Sequence, residues 1–497
     1  MKTISKSRFI SGLQCEKMLW LDTYHRELAE ETDDQTQFIF DQGHVIGELA
    51  QTLFPGGALI AEDHLHIAEA VEATRKAAAK GAMVLYEAGA EHDRYRARAD
   101  ILKRVAEGKD EWDMYEVKSG THEDKEVYLN DLAVQKMIFD GAGYPIRKSF
   151  LVTINTDYVR KGPIEIEKLF RITDQTKIIN SICKTLPPLM KRMLEVVDSP
   201  KEPQIPISKW RCNSPYGCAF MDHCWKNIPD DSVFTLSNDR VRVANALFEQ
   251  GIVKIADIPD STKLNPKQRR QVQTARTGEP YIDQQRIRSF LNTLEYPLYY
   301  LDFETYNPLI PPYDGLKPFQ QIPFQFSLHI QEKADGELKH YEYLADGQED
   351  PRPPFMEALQ KYIGIKGSVV VYSAFEQSRL NKLAEWLPKK EAGIRSIIKR
   401  IRDLSVPFRN QDVYYPGFLG SYSIKAVLPV LVPDMSYEGL EIGEGGAASL
   451  AYVKLTDPKL PKKEREQIRK NLLEYCGQDT LAMVKLVEVL RKEVLNA

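Results

Sequence analysis

The sequence predicts an α/β chain built as two folded regions with a basic helical segment between them. Three patterns carry that reading. Short apolar or alternating runs at 83–87, 94–101, 112–117 and 149–154, and again at 298–304, 325–331, 338–344 and 368–372, have the length and period of strands. Apolar residues at three-and-four spacing over 67–82, 129–139 and 464–495 have the period of helices. Between the two sets, residues 261–290 carry Lys263, Lys267, Arg269, Arg270, Arg276, Arg286 and Arg288 against only Glu279 and Asp283. The expected divisions are 1–230, 231–292 and 293–497. Within the middle segment, 247–258 reads as a helical hairpin turning at Gly251.

Composition narrows the class. The 497 residues are 43% hydrophobic and 28% charged, an ordinary globular mix of a length that suits about three folded pieces. A formal net charge of -4 excludes a global basic excess, so any nucleic-acid surface must be a local patch. The opening MKTISKSRFISGLQCEKMLW lacks a long apolar core and a small-residue cleavage site. No run approaches the ~20 apolar residues of a membrane helix. The expectation is a reduced, cytoplasmic protein with no membrane partner.

In a reducing compartment, clustered cysteines point to metal rather than to a disulfide. Cys212, Cys218 and Cys224 fall within one loop that contains Pro215 and Gly217, and a proline-rich stretch at 199–206 leads into it. Three thiolates want a fourth ligand, which Cys15 or His223 can supply. Four thiolates suit a 4Fe-4S cluster or a structural zinc. Cys183 and Cys476 sit among apolar residues at helical spacing and read as small buried hydrophobes.

Two acidic constellations stand out. In the first, Asp100 precedes Glu116-Val117-Lys118 on what read as strands of one hairpin. Alternation puts Glu116 and Lys118 on one side, where a neighbouring strand can bring Asp100 opposite them. Two carboxylates can hold a divalent ion, Mg2+ or Mn2+, and the lysine can orient the attacking water. His44, on an upstream helix, can complete the metal site. Downstream, Tyr128, Asp131 and Gln135 share one helical face. In the second constellation, Asp302 and Glu304 lie two apart on an apolar strand, Glu376 follows a strand at a helix start, and Tyr475 and Asp479 are four apart on a C-terminal helix. Four carboxylates so distributed can bind two divalent ions, with Tyr475 holding the attacking water.

The order of these residues resembles known families. Residues 1–230 resemble the iron–sulphur members of the RecB-like PD-(D/E)XK nuclease superfamily, which include CRISPR-adaptation exonucleases and AddB-type helicase–nucleases. In that pattern one cysteine precedes the nuclease core and three follow it, as Cys15, Cys212, Cys218 and Cys224 do. His44, Asp100, Glu116, Lys118 and Gln135 match the order of its motifs, while Phe139 stands where a tyrosine is frequent. The resemblance implies a restriction-endonuclease-like domain stapled by a 4Fe-4S cluster, with zinc as the alternative. Residues from about 296 to 490 resemble the DEDD exonuclease superfamily, whose fold is ribonuclease-H-like. Asp302 and Glu304 match its first motif, Glu376 the second, and Tyr475 with Asp479 the third. The second motif usually carries Asp; Asp403 and Asp412 are nearby alternatives. The stretch 414–425 resembles a bacterial family in which such a domain follows a RecB-like nuclease.

The implied activity is a metal-dependent nuclease, an exodeoxyribonuclease acting on single-stranded or duplex DNA ends in repair, recombination or defence, with RNA as a possible substrate. The alternatives are a 3'-5' DNA or RNA exonuclease carried by the C-terminal domain, or a nucleic-acid-binding adaptor. Lys267, Arg269, Arg270 and Arg276 are the expected phosphate contacts of the basic segment.

Overall fold

A computed structural model describes residues 2–63, 65–237 and 242–495. It is a mixed α/β structure in two compact units. Unit 1 comprises Met1–Asn227 and Leu309–Phe319; unit 2 comprises Ile228–Pro308 and Gln320–Ala497.

Unit 1 is organised on a seven-stranded sheet. Its strands are β1 (Ile4–Ser5), β2 (Ala58–Leu59), β3 (Val84–His92), β4 (Tyr95–Arg104), β5 (Trp112–Lys118), β6 (Ile146–Ile154) and β7 (Phe170–Asp174). The order is β2-β3-β4-β5-β6-β7, with β1 parallel to β4. A two-residue turn joins β3 to β4, and both of its residues, Asp93 and Arg94, have positive φ. That backbone matches the twist of a tight hairpin. β4 and β5 pair antiparallel, while β5 and β6 are parallel and need a crossover, which is helix α5 (Glu126–Gly141). The helices before it are α1 (Lys6–Gln14), α2 (Glu16–Tyr24), α3 (Asp34–Gln51) and α4 (Ile67–Ala79).

Ala88, Ala90, Ala97 and Ala99 alternate along β3 and β4 and are almost wholly buried. Their small side chains let α5 lie close to the sheet with Leu132, Val134, Ile138 and Phe139 in the core. Truncating Phe139 to Ala would cost about 3–5 kcal/mol. The segment Leu309–Phe319 is held within unit 1 by Arg160. Its N–H donates to the Leu316 carbonyl at 2.9 Å, and its guanidinium donates to the carbonyls of Pro311 and Pro312 at 3.0 and 2.5 Å.

Unit 2 is organised on a five-stranded sheet. Its strands are β9 (Leu298–Tyr306), β10 (Ile322–Gln331), β11 (Leu338–Leu344), β12 (Ser368–Val371) and β13 (Ile401–Asp403), in the order β11-β10-β9-β12-β13. The first three pair antiparallel; β9, β12 and β13 pair parallel. β10 is buried along its whole length, because other elements cover both faces. The basic segment groups with this unit. It contains helices Arg242–Glu249, Pro266–Thr277 and Gln284–Leu291 and a two-residue strand, β8 (Tyr281–Ile282), that pairs with β14 (Val413–Tyr414).

The expected helical hairpin at 247–258 is helical only in its first arm. The second is a 3₁₀ turn, Ile255–Asp257, preceded by extended chain. Backbone bonds from Val233 N–H to the Val253 carbonyl (2.8 Å) and from Ile255 N–H to the Asp231 carbonyl (3.0 Å) hold it extended. Among the described residues no helix is long and apolar enough to cross a membrane.

Candidate active sites

In unit 1 the antiparallel pairing of β4 and β5 places Asp100 beside Glu116: Ile101 faces Tyr115, and the Val117 N–H donates to Asp100 Oδ2 at 2.6 Å. Lys118 Nζ donates to Glu116 Oε1 at 2.8 Å and to Asp131 Oδ2 at 2.5 Å. Three of the expected residues therefore meet here, and α5 adds Asp131 from the face it shares with Tyr128 and Gln135. Gln135 is fully buried, and neither end of its amide has a hydrogen-bond partner; Glu116 Oε2 is buried and unpaired as well. Such atoms are costly unless something else satisfies them. His44 is on an exposed stretch of α3, close enough to Glu87 to act on its charge.

Two groups of this site lie outside the sequence motifs. Lys6, at the start of α1, donates to Glu116 Oε1 at 2.8 Å and lies 3.5 Å from Asp131 Oδ2. The parallel pairing of β1 with β4 carries it there. Glu87 lies on β3 between Tyr86 and Ala88, which face Ile101 and Ala99, so it is beside Asp100. Its φ is +57°, a left-handed backbone inside a strand, which costs a non-glycine residue about 1–2 kcal/mol.

The charges are strongly coupled. Burial, and then the neighbouring Glu116, push Asp100 well above the usual carboxylate range. Burial also works against ionised Glu116, but Lys118 and Lys6 outweigh it and hold this carboxyl well below its ordinary value. Lys118 is desolvated too, yet Asp131 and Glu116 raise its pKa well above that of a free lysine. The site thus holds ionised Glu116 between two ammonium groups, with Asp100 poised to ionise when a further cation arrives.

Cys15, Cys212, Cys218 and Cys224 line one small pocket together with Met18, Leu21, Ile205, Pro206 and Phe220. Cys15 lies at the junction of α1 and α2, and the Cys218 N–H donates to the Cys212 carbonyl at 2.9 Å. His223 is not among the lining residues. No three of the sulphurs approach within 4.8 Å of one another, whereas a tetrahedral zinc with ~2.3 Å bonds needs its four sulphurs closer than that. Burial raises the Cys218 thiol to about 11. Cys183 lies apart, with its thiol 3.6 Å from the Ala133 carbonyl.

In unit 2, Asp302, Glu304 and Asp479 each place a carboxylate oxygen within 4.8 Å of the other two, the one group of this kind among the described residues. β9 supplies the first two and the helix Lys462–Leu495 the third. Burial, and then Asp479, push both Asp302 and Glu304 well above the ordinary range. Burial raises Asp479 to about 6, against hydrogen bonds from Tyr437 and Tyr475 and the charge of Lys425. Glu376, at the start of helix Phe375–Trp386, is outside the triad but acts on it electrostatically. Its Oε2 is buried without a partner, and burial raises it to about 8.

Asp403 is near enough to add to that rise. It also accepts bonds from the Ser405 N–H and hydroxyl. Asp412 pairs instead with Arg286 at 3.3 Å. Tyr437 and Lys425 are further members that the motifs did not contain. Tyr437 donates its hydroxyl to Asp479 Oδ1 at 2.5 Å, and Lys425 Nζ lies 5.3 Å from the Tyr475 ring centre and 5.5 Å from that of Tyr437.

The basic segment uses its cations inside unit 2. Lys267 Nζ donates to the Arg409 carbonyl at 2.5 Å, Arg269 to Leu264 at 2.6 Å, and Arg270 to Gln411 at 2.8 Å while stacking on Tyr281. Arg276 donates to the carbonyls of Ala256 and Ile258 and pairs with Asp260. These contacts fasten helix Pro266–Thr277 to neighbouring loops.

Comparison with known proteins finds a family match, mostly in unit 2, and two relatives. Residues 299–423 match a domain of unknown function, DUF2779, a span that includes Asp302, Glu304 and Glu376. The chain is also 24% identical over 229 residues to the uncharacterised protein MG366 homologue of Mycoplasma pneumoniae, covering 42% of this chain and 34% of that protein. It is 24% identical over 220 residues to the uncharacterised protein MG366 of Mycoplasma genitalium, covering 41% and 33%. The chain therefore spans about a third of the length of the curated relatives it matches.

Proposed function

We propose that this protein is a metal-dependent nuclease with two acidic centres, acting on DNA ends. The observation that carries the reading is the triad of Asp302, half-buried, with the buried Glu304 and Asp479. Three carboxylates within 4.8 Å, with little positive charge facing them, form a donor set for a divalent cation. The antiparallel-then-parallel strand order β11-β10-β9-β12-β13, with acids on the central β9 and the last helix, supports a ribonuclease-H-like exonuclease fold for unit 2. A sheet with a β5-α5-β6 crossover carrying Asp100, Glu116 and Lys118 supports a restriction-endonuclease-like fold for unit 1.

Asp302, Glu304 and Asp479 in one unit, and Asp100 and Glu116 in the other, would hold Mg2+ or Mn2+. A cation there would act as a Lewis acid on a phosphoryl oxygen and lower the pKa of bound water. The chain's own groups do the rest. Lys118, fixed between Glu116 and Asp131, is placed to orient a water and to offset charge on the phosphate. Tyr475 and Tyr437 orient Asp479, and Lys425 supplies positive charge acting on Glu304 and Asp479. The four cysteines line one apolar pocket and would be the ligands of a 4Fe-4S cluster, or of a zinc, that ties the start of unit 1 to its end.

The test is hydrolysis of end-labelled single- and double-stranded DNA and RNA with Mg2+ or Mn2+. The comparison is wild type against Lys118→Ala and Asp302→Ala, each expected to remove about 10²–10³ of the activity of its own centre. Absence of cation-dependent hydrolysis by the wild type on every substrate would overturn the reading. Loss of all activity in Asp302→Ala alone would favour unit 2 as the sole nuclease. Anaerobically purified protein should contain iron that Cys15→Ser loses and Cys183→Ser keeps.

A further inference from the structure

Beside the cysteine pocket, unit 1 has an open groove of about 680 Å³ between α1, the start of α5 and the loop after Trp210. Its lining combines two exposed aromatic rings, Trp210 at 65% and Tyr216 at 54% exposure, with the cations Lys125 and Arg211; Glu126 is the acid on its rim. Large aromatic side chains left in solvent lose hydrophobic stabilisation unless something covers them. This loop is held in place rather than loose. Gln14 Nε2 donates to the Arg211 carbonyl at 2.7 Å and to the Tyr216 carbonyl at 2.9 Å.

The groove also leads to the acidic centre. Tyr216 is near enough to Tyr128, Lys118 and Asp131 for their charges to act on its hydroxyl. Tyr128 has Lys125 Nζ 5.2 Å and Lys118 Nζ 5.5 Å from its ring centre. Tyr216, at the groove, and Tyr128, with two ammonium groups over its ring, thus lie between the groove lining and Lys118.

We propose that this groove is the entry track for a single-stranded DNA end, with bases stacking on Trp210 and Tyr216 and phosphates meeting Lys125 and Arg211. The inference rests on the reading of unit 1 as a nuclease and names the form of its substrate. The chemistry selects a single strand because a ring can stack only on a base face that duplex pairing does not already cover. Charge complementarity selects a polyanion, since Lys125 and Arg211 outnumber Glu126 in the lining.

The test is anisotropy of a short labelled oligothymidine with the full chain, without added divalent ion so that hydrolysis does not interfere. Trp210→Ala and Tyr216→Ala should each weaken binding about tenfold, and Trp210→Phe should restore most of it. Lys125→Ala should reduce the slope of log affinity against log salt by about 0.7. Unchanged affinity in the Trp210→Ala/Tyr216→Ala double variant overturns the track. So does an equal loss for blunt duplex DNA, and an equal loss for oligouridine overturns its assignment to DNA. Hydrolysis with Mn2+, measured separately, keeps the two readings apart: cleavage with unaffected binding removes only the groove, and altered binding without any cleavage removes only the nuclease.

Discussion

The two acidic centres each gather four carboxylates and differ in what faces them. In unit 1, Asp100, Glu116, Asp131 and Glu87 meet Lys6, Lys118 and Arg98, and the ammonium groups make direct pairs at 2.5–2.8 Å. In unit 2, Asp302, Glu304, Glu376 and Asp479 make no ion pair with a lysine or arginine among the described residues. Lys425 acts on them from beyond pairing distance, and its Nζ donates to the Gly443 carbonyl. The difference teaches where the missing positive charge must come from. The first centre is largely neutralised by its own chain. In the second, burial and mutual repulsion raise the carboxyl groups above their ordinary range, and a cation would offset that charge.

The largest expected effect follows from that imbalance. Glu376 is raised by burial from 4.5 to about 8. Between those values the folded form holds a proton that the unfolded chain has lost, so the metal-free protein should lose stability as pH rises through that window. Glu376→Gln should leave stability unchanged below pH 4.5 and raise it by on the order of 5 kcal/mol above pH 8. Urea denaturation of metal-free protein at several pH values measures this, and Mn2+ should stabilise the wild type more at the higher pH. A flat pH profile would show that unit 2 neutralises its own acids after all.

An intermediate effect is expected at Lys6. Lys6→Met leaves Glu116 and Asp131 to share Lys118 and should cost about 2 kcal/mol, below the usual penalty for a fully buried pair because this side chain keeps 20% exposure. The sharper readout is cation dependence. Mn2+ should now stabilise unit 1 measurably, as is expected for unit 2, and no gain in cation response would break the comparison.

The smallest effect concerns backbone. Glu87→Ala and Glu87→Gly both remove the carboxylate, but only glycine is at ease at a φ of +57°. The glycine variant should be the more stable by about 1 kcal/mol in denaturant unfolding. Equal stabilities would place no strain at this position.

The long elements of both units were legible because period and register were enough. The run 298–304 became β9 (Leu298–Tyr306), and the spacing of Asp100 and Glu116 became a hairpin that sets them side by side. Sequence could also put Asp131 and Gln135 on one face of α5, since helical geometry is local. Lys6 was beyond reach. It meets Glu116 across 110 positions through a two-residue strand, and two residues carry no period. Glu87 was hidden because only strand pairing puts it beside Asp100. Tyr437 and Lys425 reach Asp479 from loop and helix with no fixed spacing to it. The partners of the basic segment were illegible for another reason. Its charge was visible, but the carbonyl groups that Lys267, Arg269, Arg270 and Arg276 bind are contributed by backbone, which has no signature in sequence.

The segment Leu309–Phe319 bears on synthesis. Domains of a growing chain generally fold as units and in order of emergence. Here unit 1 is interrupted: its last eleven residues follow β9, which belongs to unit 2. The carbonyls that Arg160 binds therefore leave the ribosome only after the first strand of the next sheet has been made. Unit 1 must wait, part-assembled, with Leu309, Ile310 and Phe319 still missing from its core while β9 and its two carboxylates are already exposed to solvent. A stall or a truncation just before residue 309 would release a nascent chain whose first sheet has all its strands but lacks the packing of Leu309–Phe319 and whose second sheet is unfinished, and so a marked target for chaperones or proteases.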